Sequence, residues 1–167
     1  SGYETQLMIA DWQDGDLDNS KKFEIKYFDN KSAYFSAAFS RDGKHMVMSM
    51  EANVTMGVED LYISHLQENG NWSPPMSLGY VINTRAQEMT PFLAQDNETL
   101  FFATNGREGW GSFDIYYAKR LDDTWQKWSD PVNLGSKINT SGAEKSFSFS
   151  DVAAVAYYTS NTKSDGY

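Results

Sequence analysis

The side chains able to do chemistry fall into four small groups. Glu88 and Glu144 are carboxylates that follow matching phrases, Ile82-Asn83-Thr84 and Ile138-Asn139-Thr140. Paired carboxylates facing a sugar are the equipment of a glycosidase. These two return with one spacing, however, and a residue repeated in every copy of a motif usually ties the copies together. Arg107 and Trp110 lie in the Gly-rich stretch Asn105–Gly111; Arg and exposed aromatics dominate the energetics of protein interfaces. Asp14, Asp16 and Asp18 alternate as oxygen ligands do in a calcium loop. Asn19 stands where such a loop needs its Gly, and Ile25 where it needs its closing Glu, so an acidic hairpin loop is the simpler reading and calcium the weaker one. His45 and His65 fit no zinc spacing and read as ordinary strand residues. There is no Ser-His-Asp order, phosphate loop or cofactor fingerprint. The chain reads as non-catalytic, with no cofactor and no firm metal site.

The elements that must position these residues announce themselves by repetition, about every 55 residues. Asp60-Leu61-Tyr62-Ile63 is answered by Asp114-Ile115-Tyr116-Tyr117. Trp72-Ser73-Pro74-Pro75 is answered by Trp128-Ser129-Asp130-Pro131, and Leu78-Gly79 by Leu134-Gly135. A looser register sets Phe39–Gly43 beside Leu93–Asn97. Such periods mark stacked or radial architectures, whose units cannot bury their hydrophobic faces alone.

Composition narrows the class. In 167 residues, ten Tyr, ten Phe and five Trp supply bulk that favours pleated surfaces. The net charge of −9 repels phosphate, which argues against nucleic acid and anionic membranes as partners. No apolar run approaches bilayer length, so no direct membrane insertion is expected. There is no cysteine, hence no disulfide or thiolate chemistry.

Each repeat reads as four short strands. In the best copy they are Met89–Ala94, Thr99–Thr104, Phe113–Lys119 and Trp125–Val132, with Asn133–Gly142 crossing to the next unit. The preceding copy gives strands near 35–39, at 45–50 and at 60–65. A third begins at Glu144, with strands at 146–149 and 153–160, and Gln6–Ala10 falls where a third strand belongs. The expected fold is all-β: a β-propeller of four-stranded antiparallel blades, with about three blades' worth present as part of a larger propeller. The divisions are 1–33 (end of a preceding blade), 34–85 and 86–142 (full blades) and 143–167 (start of a further blade). A longer parent chain, or an oligomer, is needed to close the ring; open propeller edges invite aggregation.

Three phrases carry a family resemblance: Trp-Ser-x-Pro-Val-Asn-Leu-Gly-x-x-Ile-Asn-Thr at 128–140, Asp-Ile-Tyr-Tyr-Ala at 114–118, and Ser-Arg-Asp-Gly-Lys-His-Met-Val-Met-Ser at 40–49. They resemble the WD-repeat-like propeller repeats of TolB-type proteins and of OmpA-family envelope proteins in Bacteroidetes-like bacteria. The resemblance covers nearly all of 34–163. It departs at 94–97, which read Ala-Gln-Asp-Asn in place of Ser-x-Asp-Gly, at Ser150-Asp151-Val152, and at 11–33, where the Trp-x-x-Pro signature is missing. It implies a scaffold or protein-interaction module, periplasmic, outer-membrane-associated or on the surface of a Gram-negative bacterium. The implied partner is a protein of the envelope or of a peptidoglycan-associated complex.

In a propeller, the crossing between units and the loop between second and third strands share one face. That brings Arg85 and Glu88 beside Asn105, Arg107, Glu108 and Trp110, with Glu144 on the next crossing. This loop face is the expected binding surface. The alternative is a carbohydrate-binding or glycoside-hydrolase-type propeller, supported by the aromatics, the acidic balance and the loose Asp-box look of Ser40–Gly43.

Overall fold

The computed structural model describes residues 7–150 and 152–161; within them lie twelve strands and no helix. The first hairpin pairs β1 (Leu7–Gln13) with β2 (Asp16–Phe23). A four-stranded sheet follows: β3 (Ser36–Phe39), β4 (His45–Met50), β5 (Asp60–His65) and β6 (Met76–Ser77). A second holds β7 (Glu88–Leu93), β8 (Thr99–Thr104), β9 (Asp114–Lys119) and β10 (Val132–Asn133). The last hairpin pairs β11 (Glu144–Ser150) with β12 (Val155–Ser160). Within every sheet the strands run antiparallel in chain order, and no sheet closes on itself. The all-β class stands. The expected strand residue Gln6, the turn residue Asp151 and the segment 162–167 lie outside the described residues.

Turn chemistry sets the strand ends. Gly43 and Asn97, both at positive φ, occupy the same turn in the two sheets, between β3 and β4 and between β7 and β8. Asn tolerates the left-handed region almost as well as Gly, which is why Ala-Gln-Asp-Asn can stand in for Ser-x-Asp-Gly. The expected strand over 125–132 shrinks to the two residues of β10. Trp125 and Trp128 turn inward and are buried, the Trp128 indole N–H donating to the Trp125 carbonyl at 3.0 Å, and Pro131 has no N–H for a ladder. Trp128 keeps one isolated bridge, to Arg120.

The four pieces stack in chain order. Val47, Leu61 and Ile63 of the first sheet meet Leu100, Phe102, Tyr116 and Ala118 of the second in one core. The opposite face of the first sheet, Met46, Met48, Met50 and Tyr62, packs on Phe23, Ile25 and Phe28, near the first hairpin. Phe101 of the second sheet stacks on Phe147 of β11 at 4.7 Å between centroids. Alternate residues of one strand therefore belong to different cores, as period-two side chains between layers must.

Hydrogen bonds repeat the same stacking along the first strands. The Thr90 amide donates to Ser36 Oγ (3.1 Å), and the Ser146 amide to Thr90 Oγ1 (3.0 Å). Thr90 and Ser146 both sit at positive φ within register shifts of β7 and β11. These bulges turn one backbone amide out of the ladder and toward the neighbouring sheet.

Candidate functional site

The crossings that carry Glu88 and Glu144 are built by a repeated clamp. Asn83 accepts from the Leu61 amide (2.8 Å) and donates to the Leu61 carbonyl (3.0 Å). Asn139 does the same to Ile115, at 2.8 and 3.0 Å. A side-chain amide thus mimics a strand residue and completes pairing on β5 and β9. One residue on, the Thr84 amide and hydroxyl donate to Glu88 (2.8 and 2.7 Å), and Thr104 Oγ1 donates to it at 2.7 Å. Glu144 collects the matching bonds from Thr140 and, at 2.5 Å, from Ser160. Both carboxylates are buried. They lie beneath the loop face, holding crossings to strands, and neither reaches solvent.

Burial acts differently on the two. It pushes Glu88 above the usual carboxylate range, helped by the negative charge of Asp60 and only partly opposed by Thr84 and Thr104. Burial also pushes Glu144 upward, but the bonds from Ser160 and Thr140 outweigh it, and the group ends below its usual value. Accessible surface does not separate the pair, since both have none. The depth of protein around them does: Glu88 belongs to a four-stranded sheet packed on another, whereas among the described residues Glu144 belongs to the two-stranded pair β11–β12.

The loop between β8 and β9 rests on the crossing below it. Asn105 exchanges bonds with Gln87, its Oδ1 accepting from the Gln87 amide at 2.9 Å. Arg107 reaches inward, donating to the carbonyls of Val81 and Ile82 (2.5 and 3.1 Å). Asp114 Oδ2 accepts from the Trp110 amide (2.6 Å) and Asp114 Oδ1 from the Gly111 amide (3.1 Å). A Cβ on Gly111 would stand 2.1 Å from the Gly142 carbonyl oxygen, so only Gly lets the loop lie this close to the next crossing. Asn105, Arg107, Glu108 and Trp110 therefore share one end of the molecule with Arg85. Arg107 is engaged with backbone, while Arg85, Asn105, Glu108 and Trp110 are exposed, the indole at 59%.

The equivalent loop of the first sheet, residues 51–59, joins the same end and was not singled out in the sequence. The Val58 amide donates to the Ala86 carbonyl at 2.9 Å, and buried Glu59 accepts from Ser32 Oγ (2.5 Å) and Gln87 Nε2 (2.6 Å). Above this support Val54, Met56 and Val58 are exposed. Three apolar side chains in the five residues 54–58 were the available signal; the loop shares no phrase with Asn105–Gly111, so the repeat did not point to it.

The acidic segment takes a different form. Asp14 and Gly15, both at positive φ, form the two-residue turn of the first hairpin, with Gln13 opposite Asp16. Asp-Gly is a preferred pair for that turn. Asp16 and Asp18 lie on β2 and accept from the next residue's amide (2.8 and 2.7 Å). Asp14, Asp16 and Asp18 do not converge, and among the described residues no three acidic, His or Cys side chains are placed to hold a metal ion.

His45 and His65 face each other across β4 and β5 with their Nδ1 atoms 2.8 Å apart, and both rings lie against Trp125, in the connection between β9 and β10. One nitrogen must donate and the other accept, so the contact suits neutral rings. Burial lowers both pKa values; Asp42 raises that of His45, and His45 in turn lowers that of His65.

No family model matches the chain, and no curated protein matches it.

Proposed function

We propose that this chain is a non-catalytic interaction module: a run of β-propeller units that presents one loop-bearing end to a protein partner in the envelope of a Gram-negative bacterium. The single observation behind the binding role is the contrast at that end. Trp110, Val54, Met56 and Val58 are exposed, while the backbone beneath them is tied to the crossings by buried Asp, Glu and Asn. Apolar side chains on a pre-ordered frame bind at low ordering cost. The propeller reading is supported by the two sequential four-stranded sheets and the repeated inter-sheet bonds. The envelope location and a TolB-like or OmpA-family relationship rest on the sequence phrases alone. Burial of Glu88 and Glu144 beneath the surface favours binding over hydrolysis.

The test is capture of solubilised envelope proteins and of peptidoglycan fragments on the immobilised chain. Trp110→Ala and Met56→Ser should each weaken capture about tenfold with an unchanged far-UV spectrum. Capture indifferent to both would overturn this face. Binding to a glycan array that disappears in Trp110→Ala would establish the carbohydrate reading instead.

A further inference from the structure

At the end of β4 and β5 away from loop 51–59, the connection between β9 and β10 reaches over the first sheet. Equivalent bridges frame the last connection of each four-stranded sheet, Leu66 with Trp72 and Arg120 with Trp128. Five residues, 67–71, lie between the first pair and seven, 121–127, between the second. The longer run carries Trp125 and Gln126 across the gap between sheets; the shorter has no Trp to do so. Gln126 Nε2 donates to the Ser77 carbonyl at 2.9 Å. Buried Trp125 covers His45 and His65, its ring centre 5.0 and 5.9 Å from theirs. The connection is a clasp between the two sheets, and the imidazole pair is the seat on which its Trp rests.

That seat has a limited capacity for protons. The Nδ1 atoms, 2.8 Å apart, hold together only while one donates and the other accepts. A neutral pair meets this condition. So does a pair with one extra proton, since an imidazolium still donates to a neutral imidazole. A second proton leaves two N–H groups and two positive charges pointed at each other, and the rings must part. Charged groups of both elements packed on the pair bear on that step. Lys44 of the β3–β4 turn and Arg120 of the connection oppose charge on His45, whereas Asp42 of that turn and Asp123 of the connection favour it. Arg120 is fixed by the Asp122 carbonyl (2.6 Å) and Asp123 Oδ1 (2.8 Å), with its guanidinium 4.8 Å from the Trp125 ring centre. The Trp therefore already faces one cation when the imidazoles charge.

We propose that the second proton on the His45–His65 pair opens this clasp, releasing residues 121–127 from the first sheet while both sheets stay folded. Opening hydrates both imidazoles, so the open form takes that proton more readily than the closed one. Closure therefore holds near neutrality and is lost as pH falls below about 6.5, the direction in which burial has already moved both groups. Little else has to break. The Gln126 bond to Ser77 and the seat of Trp125 are lost, and the core of Val47, Leu61, Ile63, Leu100 and Phe102 is untouched. Openings that leave the main core intact belong to the low end of the stability range of a fold. The second sheet cannot do the same at its own edge, where Thr99 and Lys119 stand in place of the histidines.

The test is hydrogen exchange by NMR across a pH series, corrected for intrinsic rates, with the imidazole C–H shifts followed in the same samples. Two reporters lie in the clasp: the Leu121 amide, bonded to the Lys127 carbonyl, and the Trp128 indole N–H, bonded to the Trp125 carbonyl. Both should lose about tenfold in protection as the second imidazole charges. The Gln67 amide, bonded to Asn71 in the shorter connection, and the amides of β8 should hold. His65→Gln and His45→Gln each leave one imidazole and no second proton, so either variant should keep its clasp protected at the acid end. Protection that persists with both imidazoles charged would overturn the proposal. So would a loss of the same size in both variants, or one shared by Gln67 and β8, which is general unfolding. Should a variant fail to fold, the wild type decides alone: a loss that follows the first imidazole step, or neither step, would equally overturn it.

Discussion

Strands β8 and β12 hold equivalent places 56 residues apart, yet β8 is buried along nearly its whole length and β12 is exposed at every residue. Their sequences, Thr-Leu-Phe-Phe-Ala-Thr and Val-Ala-Tyr-Tyr-Thr-Ser, are similarly rich in strand-forming bulk. Burial here belongs to the neighbours a strand has, rather than to the strand. β8 is held between β7 and β9 and covered on both faces, whereas among the described residues β12 pairs with β11 alone. Phe102→Ala and Tyr158→Ala measure that difference. The first empties a fully buried site and should cost about 3–5 kcal/mol. The second trims a side chain 38% exposed and should cost about 1 kcal/mol or less. Denaturant midpoints read both; equal losses would mean that β12 is already covered in solution.

The clamp residues sharpen the contrast between buried support and exposed edge. Asn83→Ala leaves the Leu61 amide without a partner in a buried place and the Leu61 carbonyl with the Leu78 amide alone, at a cost of about 2 kcal/mol. Gln87→Ala removes a partner of Asn105 and of Glu59 on a more open shelf and should cost about 1 kcal/mol. Reversal of that order in thermal unfolding would contradict the reading of Asn83 as a stand-in for a strand.

The two sheets also differ at one edge. The pair facing across β4 and β5 is His45 and His65; at the equivalent place β8 and β9 carry Thr99 and Lys119. The imidazoles titrate below their ordinary value of 6.5, chiefly because burial disfavours their charge. A lowered histidine pKa favours the fold above the unfolded value, and that stabilisation is lost as pH falls below about 6.5 toward the lowered values. Asp42 and Asp123 near His45 oppose the shift, and Lys44 and Arg120 reinforce it. Stability should therefore fall as pH drops below about 6.5, with a change in Trp125 emission. His65→Gln should flatten the dependence; an unchanged slope would place its origin elsewhere.

What the sequence revealed and what it hid divide along physical lines. The four-strand rhythm and the Asn-Thr…Glu tie were legible because each must recur wherever two units meet, and recurrence is visible in one chain. The inward turn of Arg107 was not legible, since an Arg in a Gly-rich loop suits solvent and backbone carbonyls equally well. The exposed Val54, Met56 and Val58 were hidden for the opposite reason. Loops of one length, 51–59 and 105–113, rest on the same crossing with different residues, so no phrase repeats. The near loss of the strand at 125–132 followed from Trp125 at positive φ, a conformation its residue type does not advertise.

The smallest difference between the sheets is one missing donor. In the second sheet Asn133 Nδ2 donates to Asp114 Oδ2 (2.9 Å) while its Oδ1 accepts from Asn139 (2.7 Å). In the first sheet the shorter Ser77 accepts from Asn83 (3.0 Å) and makes no bond to Asp60, whose Oδ1 is buried without a partner. Burial accordingly holds Asp60 above the usual carboxylate range, against the pull of the Met56 and Gly57 amides. A raised carboxylate pKa means that its stabilising share is fully present below the unfolded value and lost as pH rises through the folded one. Ser77→Asn should supply the donor, bring the Asp60 pKa down and stabilise the fold by about 1 kcal/mol at pH 7. At pH values below the unfolded pKa of Asp60 the gain should shrink, because a neutral carboxyl needs the donor less. Carboxyl chemical-shift titration of both chains, with unfolding at the two pH values, reads the effect. A gain independent of pH would show that the new side chain acts by packing, and that Asp60 is not the group it relieves.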